Sequence, residues 1–488
     1  MRFFGIETEY GIAVEGADAS DLMEASRAVV NSYQGIYAAP WNYGVENPRH
    51  DVRGFDAKAL AHDPQDAQFD KPSSKTISDR EDRVDHMLQN GARLYNDHGH
   101  PEYATPECDD LFDLVAHDKA GEKIVWECAQ HWSRKTGKNV QIIKNNADFH
   151  GASYGCHESY LMARDVDWEN ALPTIAAFLA TRIIFTGAGK VSGGKSTFQL
   201  SQRADFMETL QSVDTLYRRP LVNTRDEPHA DAAQFRRLHV ISGDANMSEF
   251  ATALKLGTTR LLVRLLERGW RLPFVLRDPV QAMKQISQDE SYQWIIETDE
   301  RQKISALDVQ ELFVDAVCEL NAEEDSWIIQ EWRAVLQDLR DDPLSCHDRL
   351  DWAAKKVLLD GFVEEENLDW KRDVELLQSL DIAYADLDSE QGLYHGLVEA
   401  GQMRTLIPEP QQNAAMQNPP ANTRAALRGL LVRKFYQDIK GISWETVQWQ
   451  NAEGMQNLRL KSTFDAEMLA HLDAAQTLDE VALILRSA

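Results

Sequence analysis

The stretch Phe3-Phe4-Gly5-Ile6-Glu7-Thr8-Glu9-Tyr10 decides how the chain is read. Apolar Phe4 and Ile6 alternate with small or acidic residues, the period of a strand with one buried face. Glu7 and Glu9 stand two apart, so both carboxylates project from the same side and converge on whatever lies over the sheet. Paired carboxylates suit magnesium, a hard ion that takes oxygen ligands and shares its shell with nucleotide phosphates. A lone E-x-E pair is also common on solvated strands, so its meaning depends on what the rest of the chain brings beside it. A helical run from Asp21 to Val30 follows the strand.

Working outward, 488 residues with 43% hydrophobic content, including 12 Trp and 17 Phe, provide for a substantial core and two or three domains. The longest apolar window, Ala171 to Gly189, is broken by Pro173, Thr174, Thr181 and Arg182, so it reads as a buried helix and not as a bilayer span. Met1-Arg2 leads directly into a strand without the features of a secretory signal, and the expectation is a cytoplasmic, monomeric protein. Five widely spaced cysteines without a CxxC pair imply reduced packing residues. Against 79 acidic residues stand 51 basic ones; the net charge of −28 repels nucleic acid and anionic membrane. An anionic ligand therefore needs a locally basic pocket.

Strand patterns recur at Gly91 to Asp97, Asn139 to Ile143, Ala152 to Met162, Thr197 to Gln202 and Leu238 to Ser242. Helical patterns occupy Asp109 to Lys135 and Asn170 to Phe185, and dominate beyond Asn246. The polar run from about Asp56 to Asp82 has little to bury and reads as a mobile surface loop. Gln411 to Asn422 reads as a linker, which divides the chain into a large unit, 1–420, and a small C-terminal domain, 421–488, running helix, strand, strand, helix.

Chemistry concentrates in three places beyond the first strand. Arg93, Tyr95 and Asp97 alternate onto one strand face, presenting a guanidinium, a phenol and a carboxylate that a bound cation would bring into catalysis. Glu102 follows within the same cluster. Asn223-Thr224-Arg225-Asp226-Glu227-Pro228-His229 with Arg236-Arg237-Leu238-His239 supplies the local basic patch for ATP phosphates, although salt bridging among Arg225, Asp226, Glu227 and Arg237 would produce the same composition. Gly189 to Ser196 matches G-x-x-x-x-G-K-S, but a P-loop joins a strand to a following helix, and here a helical run precedes and a β-like run follows. Gly187 to Gly194 is read as a helix stop and turn. His98-Gly99-His100 could face a zinc ion but lacks further ligands at matching spacing.

Several of these motifs occur together in one known family. Gly5-Ile6-Glu7-Thr8-Glu9-Tyr10-Gly11, Asn90-Gly91-Ala92-Arg93-Leu94-Tyr95, His100-Pro101-Glu102-Tyr103, Lys144-Asn145-Asn146, Ser153-Tyr154-Gly155-Cys156-His157-Glu158, Leu200-Ser201-Gln202-Arg203 and Asn223 to Asp231 resemble the Pup ligase and Pup deamidase/depupylase family. The resemblance runs in order from residue 3 to about 460 and implies an α+β, glutamine-synthetase-like fold: a curved antiparallel sheet cradle packed with helices, plus a small α+β C-terminal domain. Trp41 to Pro48, Asp51 to Asp56 and the polar run to Asp82 are similar to an insertion, about 41–85, of the members that remove Pup.

The resemblance implies a depupylase and deamidase that cleaves the isopeptide bond between the C-terminal side chain of Pup and a substrate lysine. ATP, or ADP plus phosphate, and Mg²⁺ are the implied cofactors; Pup, a small acidic disordered protein, and pupylated proteins are the implied partners. By matching motif, Asp97 is the catalytic aspartate, Glu7, Tyr95 and Glu102 hold magnesium, and Arg93, Thr105 and Trp444 contact nucleotide. Glu9, His157, Arg203, Arg225 and His239 are further candidates for metal or phosphate contact. A Pup ligase, a zinc amidohydrolase and a non-catalytic Pup-binding protein are the alternatives.

Overall fold

The computed structural model describes residues 3–17, 21–61, 84–97, 99–148, 153–194, 197–215, 217–320, 325–461 and 466–487. Phe4–Glu9 is the central strand of a nine-stranded sheet. Numbered in chain order, the strands of this sheet are β1 (Phe4–Glu9), β2 (Tyr37–Ala38), β3 (Asp85–Leu88), β4 (Arg93–Asp97), β5 (His100–Ala104), β6 (Cys156–Ala163), β7 (Thr209–Ser212), β8 (Pro220–Asn223) and β9 (Phe235–Val240). They lie in the order β7-β8-β9-β6-β1-β5-β4-β3-β2. Neighbours are antiparallel except β7 and β8, which run parallel at one edge, so the sheet is mixed where an antiparallel one was expected.

Alternation in β1 sets the two faces. Phe4, Ile6 and Thr8 are buried, while Gly5, Glu7 and Glu9 occupy the other side. The buried face is covered by α1 (Leu22–Val30), α2 (Leu111–Thr136) and α4 (Glu249–Glu267), with α3 (Trp168–Thr181) in the same core. Each large apolar side chain removed from water there contributes roughly 1.5–3 kcal/mol. Local chemistry fixes where these helices begin. The Asp110 carboxylate accepts from the backbone N–H groups of Phe112 and Asp113, and the Ser248 hydroxyl accepts from Ala251, satisfying amides that have no partner inside the helix. Gly137 ends α2 at φ 73°, a left-handed conformation that glycine adopts without strain.

The region beyond the large core differs from its reading in two respects. Glu409–Gln417, inside the stretch expected to be a linker, is a helix packed on α2, with Ala415 and Met416 buried and the Gln412 amide donating to Glu249. Its Gln- and Asn-rich composition belongs to the outward face; the Ala-Ala-Met run supplies the buried one. After α5 (Arg424–Phe435) come three strands, β10 (Ile439–Ile442), β11 (Thr446–Asn451) and β12 (Gly454–Arg459), then helices Ala466–Ala474 and Leu478–Ser487. The short β10 contains Gly441 and a register irregularity, so its period is too weak to read. This segment builds a second core around Leu427, Leu431, Val447, Leu472 and Val481, into which Ala38, Trp41 and Met87 enter from the edge of the large sheet.

The Gly187 to Gly194 stretch follows a short helix, Ile183–Thr186, and enters a hairpin pairing Lys190–Val191 with Phe198–Gln199; Lys195 and Ser196 lie outside the described residues. A helix leading into a hairpin is the reverse of P-loop order. Of the polar insertion, residues 62–83 lie outside the described residues. Among the described residues, no helix is long and apolar enough to cross a membrane, and all five cysteines are free, four of them buried.

Candidate active site

Strand register turns separate sequence motifs into rows across the open face of the sheet. Glu9 lies opposite Glu102, Glu102 opposite Tyr95, and Tyr95 opposite Asp85. In the next row Glu7 is flanked by Ala104 on β5 and His157 on β6. Directly opposed residues share a face, so the acids of β1, β4 and β5 meet with no helix between them.

Two groups of possible metal ligands result, Glu7 with His157 and His239, and Glu9 with Asp97 and Glu102; within each group the donor atoms all lie within 4.8 Å of one another. In the first, Glu7 is partly buried, which favours its neutral acid, but the His157 ring 3.7 Å away and the nearby Arg237 and Arg93 outweigh this and bring its pKa down to about 2. His239 is driven the other way: burial, and then Arg237, His157 and Arg225, depress its pKa well below the usual range. Its neutral ring has a defined tautomer. Asn223 gives its amide N–H groups to the carbonyls of Val213 and Asp214, leaving its Oδ1 to accept from His239 Nδ1 at 3.1 Å. The proton is therefore on Nδ1, and the lone pair on Nε2, which has no hydrogen-bond partner, is presented as a ligand.

In the second group Glu102 is 2% exposed and its Oε2 has no partner. Burial, then Asp97, Glu9 and Glu7, push its pKa well above the carboxylate range. Tyr95 is raised for related reasons, burial first and Glu102 and Glu7 next. A buried carboxylate oxygen facing other carboxylates is costly unless a proton or a cation compensates it. The oxygen-rich group fits a hard divalent cation, and the mixed group, with its orphaned imidazole nitrogen, completes a second position.

Beside the first group lies a cleft that opens to solvent, floored by Gly5 to Glu7 and bordered by Thr105, Glu107, His229, Arg237, Arg424 and Trp444. The Thr105 hydroxyl accepts from the Ile6 amide at 3.1 Å, and a Cβ on Gly5 would come within 3.3 Å of it, so the floor is flat where the strand turns into the cleft. Trp444 packs edge-on against Trp41 with centroids 5.4 Å apart. His229 titrates at about 3, depressed by burial and then by Arg237 and Arg424.

Of the expected nucleotide contacts, Thr105 and Trp444 border this cleft, whereas three arginines do not. Arg93 is committed to Asp85 and lies between the rings of Trp41 and Tyr95, 4.1 and 3.9 Å away. Arg225 is mostly buried near Glu227, and Arg203 is held at the far end of β1. The alternative of salt bridging holds in part, since Arg225 lies 3.9 Å from Glu227, whereas Asp226 pairs outside the patch, with Arg164. Arg237 and His229 border the cleft although neither was an expected contact; both belong to the basic patch, and Arg237 shares a strand face with His239. Glu107 and Arg424 are 317 residues apart and joined by an ion pair at 3.1 Å, for which sequence carries no signal. His98 lies outside the described residues and His100 belongs to neither ligand group.

A fold of this kind, with an acidic open face beside a cleft, defines a class that sequence similarity also marks. A family model described as Pup-ligase protein matches residues 2–448, and the chain belongs to this family. The Pup deamidase/depupylase of Mycolicibacterium smegmatis is 40% identical, over 92% of this chain and 91% of that protein. The Pup–protein ligase of Acidimicrobium ferrooxidans is 37% identical over 78% of this chain and 87% of its own. Among solved structures, the complex between Pup and its ligase PafA superposes with a TM-score of 0.78 at 27% identity, covering 100% of this chain and 92% of that one. PafA in complex with ADP gives 0.72 at 29% identity, over 89% and 95%.

Proposed function

We propose that this chain is a depupylase and deamidase: it hydrolyses the isopeptide bond between the C-terminal side chain of Pup and a substrate lysine, and the corresponding amide of a C-terminal glutamine, with a magnesium nucleotide as cofactor. The observation that carries hydrolysis over ligation is the extent of similarity: the deamidase/depupylase relative aligns with 92% of this chain, the ligase relative with 78%. The site supports the chemistry. Glu7, His157 and His239 would hold one cation and Glu9 and Glu102 another, with Tyr95 beside them. Such dications supply electrostatic stabilisation of phosphate and carbonyl oxygens as negative charge develops.

The cleft would hold the nucleotide, with Thr105 and Trp444 among the residues that line it and the Arg237 guanidinium there to meet phosphate charge. Asp97, at the β4 end of the carboxylate row, acts on the scissile carbonyl either as nucleophile or as base for water. Burial and the neighbouring Asp97, Glu9 and Glu7 raise the pKa of Glu102, a crowding of carboxylates that a bound cation would relieve. Amide hydrolysis needs no net consumption of ATP, so the nucleotide serves as a fixed charge and a structural part of the site.

Incubation of purified protein with a Pup conjugate, Mg²⁺ and ATP or ADP, followed by gel electrophoresis, tests the reading. Release of free target protein is the expected result, and accumulation of new conjugate from free Pup would instead identify a ligase. Asp97→Asn is expected to lower cleavage by about 10³-fold or more. Cleavage at the parental rate by that variant would remove Asp97 from the chemistry.

A further inference from the structure

The sheet supplies only part of the cleft. Its floor belongs to β1, but Arg424 stands at the start of α5 and Trp444 in the turn between β10 and β11, and both reach the cleft from the C-terminal segment. Close backbone approach brings that segment there. In the β3–β4 turn Gly91 has φ 80°, and a Cβ on it would stand 2.9 Å from the Ala425 Cβ; a Cβ on Gly429 would stand 2.4 Å from the Gln89 carbonyl oxygen. Glycine at both positions lets α5 lie directly on the turn that feeds β4, the strand of Arg93, Tyr95 and Asp97. One side chain fills the seam. Arg428 is fully buried, and its guanidinium meets three separate segments: Nε and Nη2 donate to the Gly91 carbonyl at 3.1 and 2.7 Å, Nη1 and Nη2 to the two Glu107 oxygens at 3.2 and 2.6 Å, and Nη1 to the Trp444 carbonyl at 2.8 Å. Its Cζ lies 5.0 Å from the centroid of the Trp444 ring. The 443–446 turn is closed by its own bonds, from the Ser443 N–H to the Thr446 carbonyl at 2.9 Å and from the Thr446 N–H to the Ser443 hydroxyl at 3.1 Å. Holding the Trp444 carbonyl therefore fixes the direction of its ring.

Charge in the seam is arranged to the same end. Burial alone would raise the pKa of Glu107; Arg428, and then Arg424, override it and hold it at about 2. Two guanidiniums on one carboxylate leave one positive charge in excess, and of the two arginines it is Arg424 that borders the cleft, with Arg428 behind it. We propose that Arg428 is a positioning residue for the nucleotide: it aims Trp444 into the cleft from the C-terminal segment and ties it to the β3–β4 turn, so that a filled cleft and a docked C-terminal segment stabilise each other. A lysine has no planar fork with which to span the same three partners. By linkage, the free energy by which docking strengthens nucleotide binding is the same free energy by which nucleotide strengthens docking.

Because this role rests on the proposed reading of the cleft as the nucleotide site, the experiment separates the two. ADP affinity in the presence of Mg²⁺ is measured by calorimetry for the intact parental chain, Arg428→Lys, Trp444→Ala and the double variant. Arg428→Lys alone is expected to weaken ADP binding by about 5- to 10-fold, the size of a lost aromatic contact, and by less than about 2-fold when residue 444 is already alanine. In conjugate cleavage the loss is expected chiefly in the ADP concentration that gives the half-maximal rate. Parental affinity in Arg428→Lys overturns the proposal. The same factor lost in both backgrounds, or a loss confined to the rate at saturating ADP, also overturns it and marks Arg428 as purely structural. Hydrogen exchange on the parental chain requires no variant to fold. There ADP is expected to slow exchange by about 3-fold or more at Leu88 to Ala92, which do not border the cleft, as well as at the 443–446 turn. Slowing at the 443–446 turn alone overturns the proposal. A parental chain that does not bind ADP at all would remove the nucleotide reading and the role of Arg428 with it, whereas every other adverse outcome leaves that reading standing.

Discussion

Glu158 and Glu102 flank the same strand, one on β6 and one on β5, and both are buried, yet they face opposite sides of the sheet and live in opposite circumstances. Glu158 points into the helices, where Arg182 grips both its oxygens, at 2.9 and 2.5 Å, and the Tyr160 hydroxyl donates to it at 2.6 Å. The same holds deeper in the helical layer, where Lys144 meets Asp118 and Glu122 at 2.7 Å each. Glu102 points to the open face among Asp97, Glu9 and Glu7 with one oxygen unpaired. Buried charge is compensated within the protein at Glu158 and only in part at Glu102. That contrast, and not the number of acids, distinguishes a binding surface from a structural ion pair.

Removing the helix-side partner with Arg182→Met strands Glu158 in the core, and equilibrium denaturation is expected to show a loss of about 3–5 kcal/mol. On the open face Glu102→Gln is expected to do the reverse, raising the stability of the cation-free protein by about 1–2 kcal/mol as carboxylate repulsion is relieved, while abolishing stabilisation by Mg²⁺. A destabilised Glu102→Gln protein that still responds to Mg²⁺ would mean that the open-face acids are structural.

Protonation sharpens the same contrast. Because the folded pKa of Glu102 is raised above its unfolded value, the folded state binds the extra proton, so this group's contribution falls as pH rises above the unfolded carboxylate range and levels off once the folded pKa is passed. Thermal denaturation without cation is therefore expected to show stability declining with pH over that window, and the decline should disappear in Glu102→Gln. Mg²⁺ affinity should run in the opposite direction, weakening as pH falls because the ion must displace that proton. The smallest expected effect is at the cleft: Trp444→Ala should weaken ADP binding by about 10-fold in calorimetry, through loss of stacking area, with Mg²⁺ stabilisation of the apo-protein unchanged.

The alternation of Phe4, Ile6 and Thr8 against Glu7 and Glu9 was sufficient to establish a strand with an acidic face, and Arg93, Tyr95 and Asp97 a second, because a period of two survives whatever packs on it. Family motifs then connected them with magnesium and nucleotide. The long helices α2 and α4 were legible for the same local reason, while the helix at Glu409–Gln417 was hidden by its polar outward composition. Which charges remain unpaired depends instead on how distant segments pack together. The fold pairs Arg93 with Asp85, while Arg237, one member of a basic run in the sequence, stands opposite Leu161 with its side chain bordering the same cleft as Glu7. Glu107 and Arg424 meet across 317 residues. Sequence specifies the face on which a side chain is presented, since that depends on its neighbours along the strand; whether it meets a partner depends on register and on distant segments, and that compensation determines which groups are left to bind a ligand.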